Sequence, residues 1–217
     1  MKKRIAPQSL LILASMTLAL SLAIGGCSGP KPAFVPAASV VIGIGGFYQP
    51  TSTKELLAGY LPEQVERVDG KIFPQLDNDF EEMLRSGTSR DYVGSERSYQ
   101  CIRQEQGKEH NSAFPFWVAV GKCMNVDLVI VPQVQAWQER LGGEMGVEQP
   151  AAVIMDFFLL DVKNQSLIAR SRYDETQKAL ASNLLDMGKF IERGGKWVSA
   201  GELAREGMAK AVKELGL

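Results

Sequence analysis

The chain opens with Lys2, Lys3 and Arg4, enters an apolar stretch from Leu10 to Ile24, and closes that stretch with Gly25, Gly26 and Cys27. This feature constrains the fold most, because it separates a leader from the part that must form a core. A cationic start, an apolar middle and small residues at the end are the three parts of a secretory signal. The apolar stretch is about 15 residues long, whereas a membrane-spanning helix needs about 20. The segment therefore suits export better than permanent residence in a bilayer.

Ile24-Gly25-Gly26-Cys27 resembles the bacterial lipobox: an aliphatic residue, two small residues, then a cysteine. Small side chains let the backbone enter a narrow peptidase site, and the thiol at the cut accepts a diacylglycerol. The plain alternative is an ordinary signal peptide with a chance cysteine. The resemblance implies a leader over 1–26, a lipidated cysteine and Pro-rich tether over 27–38, and a folded periplasmic domain over 39–217. Each buried CH₂ of an acyl chain contributes about 0.8 kcal/mol, and stable anchoring takes more than one chain. A mature lipoprotein of this kind carries three acyl chains, palmitate among them. Ser28 follows the cysteine. An Asp there would mark inner-membrane retention in the sorting rule of that class, so Ser28 implies the periplasmic face of the outer membrane.

Of 217 residues, roughly 190 remain once the leader is removed, enough for one domain with a sizeable core. The formal charge of −1 becomes −4 without Lys2, Lys3 and Arg4. A mildly acidic chain with no basic stripe argues against nucleic acid as a partner. With Cys27 assigned to lipid, Cys101 and Cys123 are the two cysteines left. An even pair in an exported protein points to a disulfide, worth about 3 kcal/mol on the chain-entropy model. The alternative is a buried thiol at Cys123 and a separate thiol at Cys101. His110 is the only histidine, which leaves a zinc site short of ligands.

Pro30, Pro32 and Pro36 make the stretch 28–38 an extended tether. Ser39 to Gly46 reads as a buried strand ending in glycines. Thr53 to Tyr60 has room for a short helix. Leu76, Phe80, Met83 and Leu84 fall at helical spacing, predicting a helix over 74–86 with Pro74 in its first turn. Asp91 to Ile102 reads as a ragged, polar strand and 104–112 as a loop. Phe114 to Met124 reads as an apolar helix feeding a central strand at Val126–Pro132, with Trp137 on its extension. Leu141 to Gln149 reads as a flexible connection. Ala151 to Val162 and Ser166 to Tyr173 read as a hairpin about a polar turn. Helices over 180–191 and after Ser199 close the chain, the second opened by the capping-box pattern Ser199-x-x-Glu202. The order implies an α/β (α+β) sandwich, with a mixed sheet and flanking helices.

The small-residue helix, the Asp127 that follows it, the apolar strand 128–131 and the hairpin 153–173 together resemble one particular fold. It is the fold shared by the curli-secretion lipoprotein CsgG, the amino-terminal domain of TolB, and the small lipoproteins LpoB and PelC. The resemblance spans roughly 39–215 and is one of pattern, without a catalytic motif. It implies a non-enzymatic envelope module. The amphipathic membrane hairpins of the curli pore have no counterpart here.

Four features invite chemistry. Gly43-x-Gly45-Gly46 follows a strand but lacks the third glycine and helix start of a nucleotide fingerprint; the plainer reading is close packing. His110 sits in a polar loop, where surface exposure is the plainer reading than a Ser-His-Asp or Cys-His site. Asp77, Asp79, Glu81 and Glu82 read as a solvated helix face. Asp156 and Asp161 lie an odd number of residues apart on one strand, hence on opposite faces, and the inward one calls for Arg170 or Arg172. Trp137, Arg140, Asp174, Glu175 and Trp197 are the candidate interface residues, since Trp and Arg are enriched in binding hot spots. Both tryptophans have the alternative of covering the core edge.

The leading expectation is a membrane-anchored module with no cofactor that binds other envelope proteins or assembles with its own copies. A regulator reaching an inner-membrane cell-wall enzyme is the second reading. Its 11-residue tether spans at most about 40 Å, short for that task. A periplasmic enzyme using His110 or a cysteine is the third.

Overall fold

The computed structural model describes residues 34–61, 67–87, 90–142, 148–177 and 198–217. Cys27, Trp197 and the helix expected at 180–191 lie outside the described residues, as does most of the connection at 141–149.

Five strands form one mixed sheet: β1 (Ile42–Ile44), β2 (Tyr92–Val93), β3 (Leu128–Gln138), β4 (Ala152–Asp161) and β5 (Ser166–Thr176), in the order β2-β1-β3-β4-β5. β1 runs parallel to both neighbours, and β3, β4 and β5 are antiparallel. Four α-helices flank them among the described residues: α1 (Phe73–Gly87), α2 (Ser95–Glu105), α3 (Ala113–Met124) and α4 (Ala200–Leu215). The expected α+β sandwich is what is found. Among the described residues, no helix is long and apolar enough to cross a membrane.

The layers follow from strand alternation. On β4, Met155, Phe157 and Leu159 face a core shared with Leu76 and Phe80 of α1 and Leu203, Met208 and Ala211 of α4. Phe158 and Leu160 point to the other face, where Trp117, Val120 and Met124 of α3 pack. A strand covered on both faces must be apolar at consecutive positions, which is why 157–160 reads as an unbroken run. α4 starts at the capping box: the Ser199 hydroxyl accepts from Glu202 N, and the Glu202 carboxylate accepts from Ser199 N at 2.7 Å. Asn125 ends α3 in the left-handed region at φ 57°, a conformation Asn tolerates.

Two expectations fail. The stretch 91–102 is a two-residue strand followed by a helix. The buried face of α2 is Ser95, Ser98, Cys101 and Glu105, so the spacing is helical but the residues are small or polar. Its start is set from another helix: Glu81 of α1 accepts from Ser95 N and Ser95 Oγ, both at 2.7 Å. At 53–60 only a 3₁₀ turn forms, Thr53–Glu55. The Glu55 carbonyl accepts from Tyr48 Oη at 3.0 Å and Gln133 Nε2 at 2.9 Å, and its carboxylate accepts from Thr51 N. Side chains thus occupy the groups a helix would have used, and Leu57 and Ala58 lie half-buried over the sheet instead.

Asp156 is fully buried, and both arginines reach it. Arg170 bonds its Oδ1 from Nε at 3.0 Å and Nη2 at 2.8 Å, and Arg172 bonds its Oδ2 from Nη1 at 2.8 Å. Asp156→Ala leaves Arg170 without its carboxylate and Arg172 with Asp174 alone, and is expected to cost about 3 kcal/mol. That is the low end for a buried pair, since both arginines keep about a third of their side-chain surface in water. Urea denaturation checks this, and a loss below about 1 kcal/mol would mean that the pair acts as a surface bridge.

Candidate functional site

Gly45 and Gly46 follow β1, and the chain then continues alongside β3, where Tyr48 makes a parallel bridge to Gln133 in the middle of that strand. α2 and α3 stand beside this turn. Between them and the 3₁₀ turn at Thr53–Glu55 opens a cleft of about 500 Å³. Its walls are aromatic: Tyr48, Tyr99, Phe116 and Trp117. Lys54, Glu55, Glu105, Lys108 and His110 also line it.

Each wall is held in place. Trp117 Nε1 donates to Tyr48 Oη at 3.1 Å, with the two ring centroids 5.6 Å apart. Gln133 Nε2 also donates to Tyr48 Oη. Burial pushes the Tyr48 phenol up to about 12, so it stays neutral. Phe116 meets Trp117 and His110 edge-on, at 5.7 and 5.4 Å. Tyr99 Oη donates to Asp77 Oδ2 at 2.6 Å. Gly46 is needed there, because a Cβ at that position would overlap the Tyr99 ring. Gly45 similarly makes room for Ile130 O and Trp117, and Gly43 for Met124 and Val126. The glycines at 43–46 serve close packing.

Asp77 corrects the reading of 77–82 as a wholly solvated face: it is buried, and Phe47 N donates to its Oδ1 at 2.8 Å. Burial raises its pKa above the ordinary 3.8, against the opposing pull of the Tyr99 and Phe47 hydrogen bonds. A carboxyl with a raised folded-state pKa adds stability fully below its unfolded pKa, and loses it as pH rises through the folded value. Asp77→Asn lacks this dependence. The stability of the variant relative to the parent is therefore expected to grow between pH 3.5 and pH 7, in paired urea titrations. A gap that shrinks over that range would show that Asp77 ionises without cost.

On the rim, Glu105 accepts from Lys108 Nζ at 2.6 Å, and its Oε2 lies 3.2 Å from His110 Nε2. The Lys108 hydrogen bond, with help from His110, holds the Glu105 carboxyl below its ordinary value. The imidazole bonds to this carboxylate and to no hydroxyl or thiol among the described residues. Cys101 and Cys123 form a disulfide with their Cα atoms 5.7 Å apart. It ties α2 to α3, the two helical walls. No cluster of three His, Cys, Asp or Glu side chains suited to a metal occurs among the described residues.

The candidate interface residues that are described, Trp137, Arg140, Asp174 and Glu175, do not converge on this cleft. Trp137 is half-buried at the end of β3 and donates from Nε1 to Glu139 at 2.8 Å. It lines a smaller pocket of about 260 Å³ with Asp79, Glu202 and Arg205, and the Arg140 charge acts on Glu202 there. Glu175 and Trp137 both pair with Val153 across β4 and so share its face of the sheet. Asp174 is exposed, on the opposite face beside Arg172.

No family model matches the chain, and no curated protein matches it. Among solved structures, the PelC dodecamer from Paraburkholderia phytofirmans aligns at 14% identity and a TM-score of 0.44, covering 86% of this chain and 95% of its own. The hypothetical protein CT253 from Chlamydia trachomatis aligns at 14% identity and 0.45, covering 81% and 97%. The LpoB C-terminal domain from Escherichia coli aligns at 11% identity and 0.36, covering 75% and 96%. PelC and LpoB are thus among the structural neighbours, and likeness at this level assigns no function to the chain.

Proposed function

We propose that the chain is a lipoprotein, held by acyl chains on Cys27 at the periplasmic face of the outer membrane. It acts without catalysis, as an interaction module in envelope or surface-polymer biogenesis. The observation that carries this reading is the lipobox-like Ile24-Gly25-Gly26-Cys27 in a chain whose other two cysteines are bonded to each other. An oxidised pair fits an exported protein. The aromatic cleft is the surface on which a partner protein, or another copy of the chain, is engaged. Fixed aromatic side chains provide large contact area at little entropic cost.

A photo-cross-linking residue at position 108 in the full chain, expressed in a diderm bacterium, tests this. The expected result is a discrete adduct with an envelope protein or a second copy, lost in Trp117→Ala. No adduct from a stable, anchored protein would overturn the cleft's role. A turnover activity lost in His110→Ala would replace the whole reading with an enzymatic one. The reading as a regulator of an inner-membrane enzyme loses ground, because Arg90 bonds the carbonyls of Pro36 and Ala37 and so shortens the free tether.

A further inference from the structure

We propose that the end of the sheet where the chain enters the domain rests on the bilayer, with Phe34, Val35 and Leu167 seated in the lipid interface and the aromatic cleft turned away. This rests on lipidation at Cys27.

The entry is fastened. Arg90 donates from Nη1 to Ala37 O at 2.6 Å and from Nη2 to Pro36 O at 2.7 Å. The Phe34 carbonyl lies so close to Gly216 that no Cβ fits there. From Phe34 onward the chain therefore moves with the domain. By chain length alone, the seven-residue step from Cys27 to Phe34 spans at most about 25 Å. A folded body of roughly 190 residues has a radius of gyration of about 16 Å, hence a diameter of about 40 Å. A link shorter than the body it carries keeps the entry end toward the membrane.

The strand register identifies what else lies at that end. Ile42 pairs with Leu128, Leu128 with Asp161, and Asp161 with Ser166. The β4–β5 turn and Leu167 are therefore level with the start of β1. The exposed large apolar side chains among the described residues are Phe34, Val35, Tyr60, Leu141 and Leu167, and three of these five lie at the entry end. Scattered apolar residues need no explanation, but grouping at one end marks an interaction surface. Lys122, Lys163 and Lys213 are exposed there as well, and a lysine can lay its stem on apolar surface while its ammonium stays at the headgroup level. The nearby acids Asp91, Asp127 and Glu214 are exposed too; Asp127 accepts from Val41 N, Asp161 from Asn164 and Glu214 from Ser171, so the seat on the bilayer is apolar and not a basic patch. The cleft begins past the other end of β1. Ile42 is level with Leu128 and Tyr48 with Gln133, so at about 3.3 Å per extended residue Tyr48 lies about 17 Å further along the sheet than the start of β1.

The test uses full-length lipidated protein in vesicles of phosphatidylethanolamine and phosphatidylglycerol carrying brominated acyl chains. Introduced cysteines Val35→Cys, Leu167→Cys and Lys54→Cys each take one fluorophore, since Cys101 and Cys123 are bonded to each other. Quenching at positions 35 and 167 is expected to exceed that at 54 several-fold. Adding Leu167→Asp to the Val35→Cys protein, and Val35→Asp to the Leu167→Cys protein, is expected to abolish the difference without releasing the protein from vesicles. Equal quenching at all three sites in a protein that floats with the vesicles would overturn the docking and leave the anchor standing, as would stronger quenching at 54. Failure of the parent chain to float would remove both.

Discussion

Cys27→Ser is expected to strip every acyl chain from the protein and to remove it from the outer-membrane fraction. The effect is all-or-none, because each acyl chain contributes about 0.8 kcal/mol per buried CH₂, and a lipoprotein carries dozens of such groups on one residue. The domain's remaining contacts with lipid are a few exposed side chains, which by themselves hold a protein only weakly and reversibly. Two measurements check this. Mass spectrometry of the amino-terminal peptide of the parent should begin at Cys27 and carry a diacylglycerol and an amide-linked acyl chain. Density fractionation should move the variant away from the outer membrane. An unmodified parent peptide, or a variant that stays in the same fraction, would sink the proposal of a lipid anchor.

Phe157→Ala is expected to be the most destabilising truncation in the core, by about 4 kcal/mol. Phe157 is fully buried in the middle of β4. Its ring meets Phe47 edge-on at 5.9 Å and Phe80 at 5.4 Å, and those two meet each other at 5.8 Å. The three rings join the sheet, the turn after β1 and helix α1. Truncation opens a cavity whose walls are held by separate elements, so it closes poorly. A domain of this size is stable by about 5–15 kcal/mol, and the midpoint of thermal unfolding should fall by about 10 °C. The same change should loosen the cleft, since Phe47 N bonds the Asp77 carboxylate that also positions Tyr99. Urea denaturation gives the energy, and a loss below about 2 kcal/mol would mean the site collapses readily.

Elements whose signals are local were legible. The spacing of Leu76, Phe80 and Leu84 marks α1, and Ser199 with Glu202 marks the start of α4. The apolar run 151–162, followed by the polar turn 163–165, marks the hairpin. The odd separation of Asp156 and Asp161 was enough to require an inward carboxylate with an arginine partner, and the structure supplies both Arg170 and Arg172. The disulfide expected of Cys101 and Cys123 is also found.

What the residue order could not show is set by contacts across the fold. Helix α2 hides Ser95, Ser98 and Cys101, so it carries no apolar stripe, and its first turn is capped by Glu81 of another helix. In the sequence Asp77 looks like one of a run of surface charges, because nothing near it on the chain announces Phe47 N or Tyr99. The cleft needs Tyr48, Tyr99 and Trp117 from three separate segments. In the sequence alone, Trp117 is one more apolar residue in an apolar helix. Periodicity, caps and turns are properties of a few consecutive residues, and these determine the elements. A binding surface is a property of residues that meet only after the sheet has ordered its strands, because the energy that brings them together is spread over the whole core and written in no single segment.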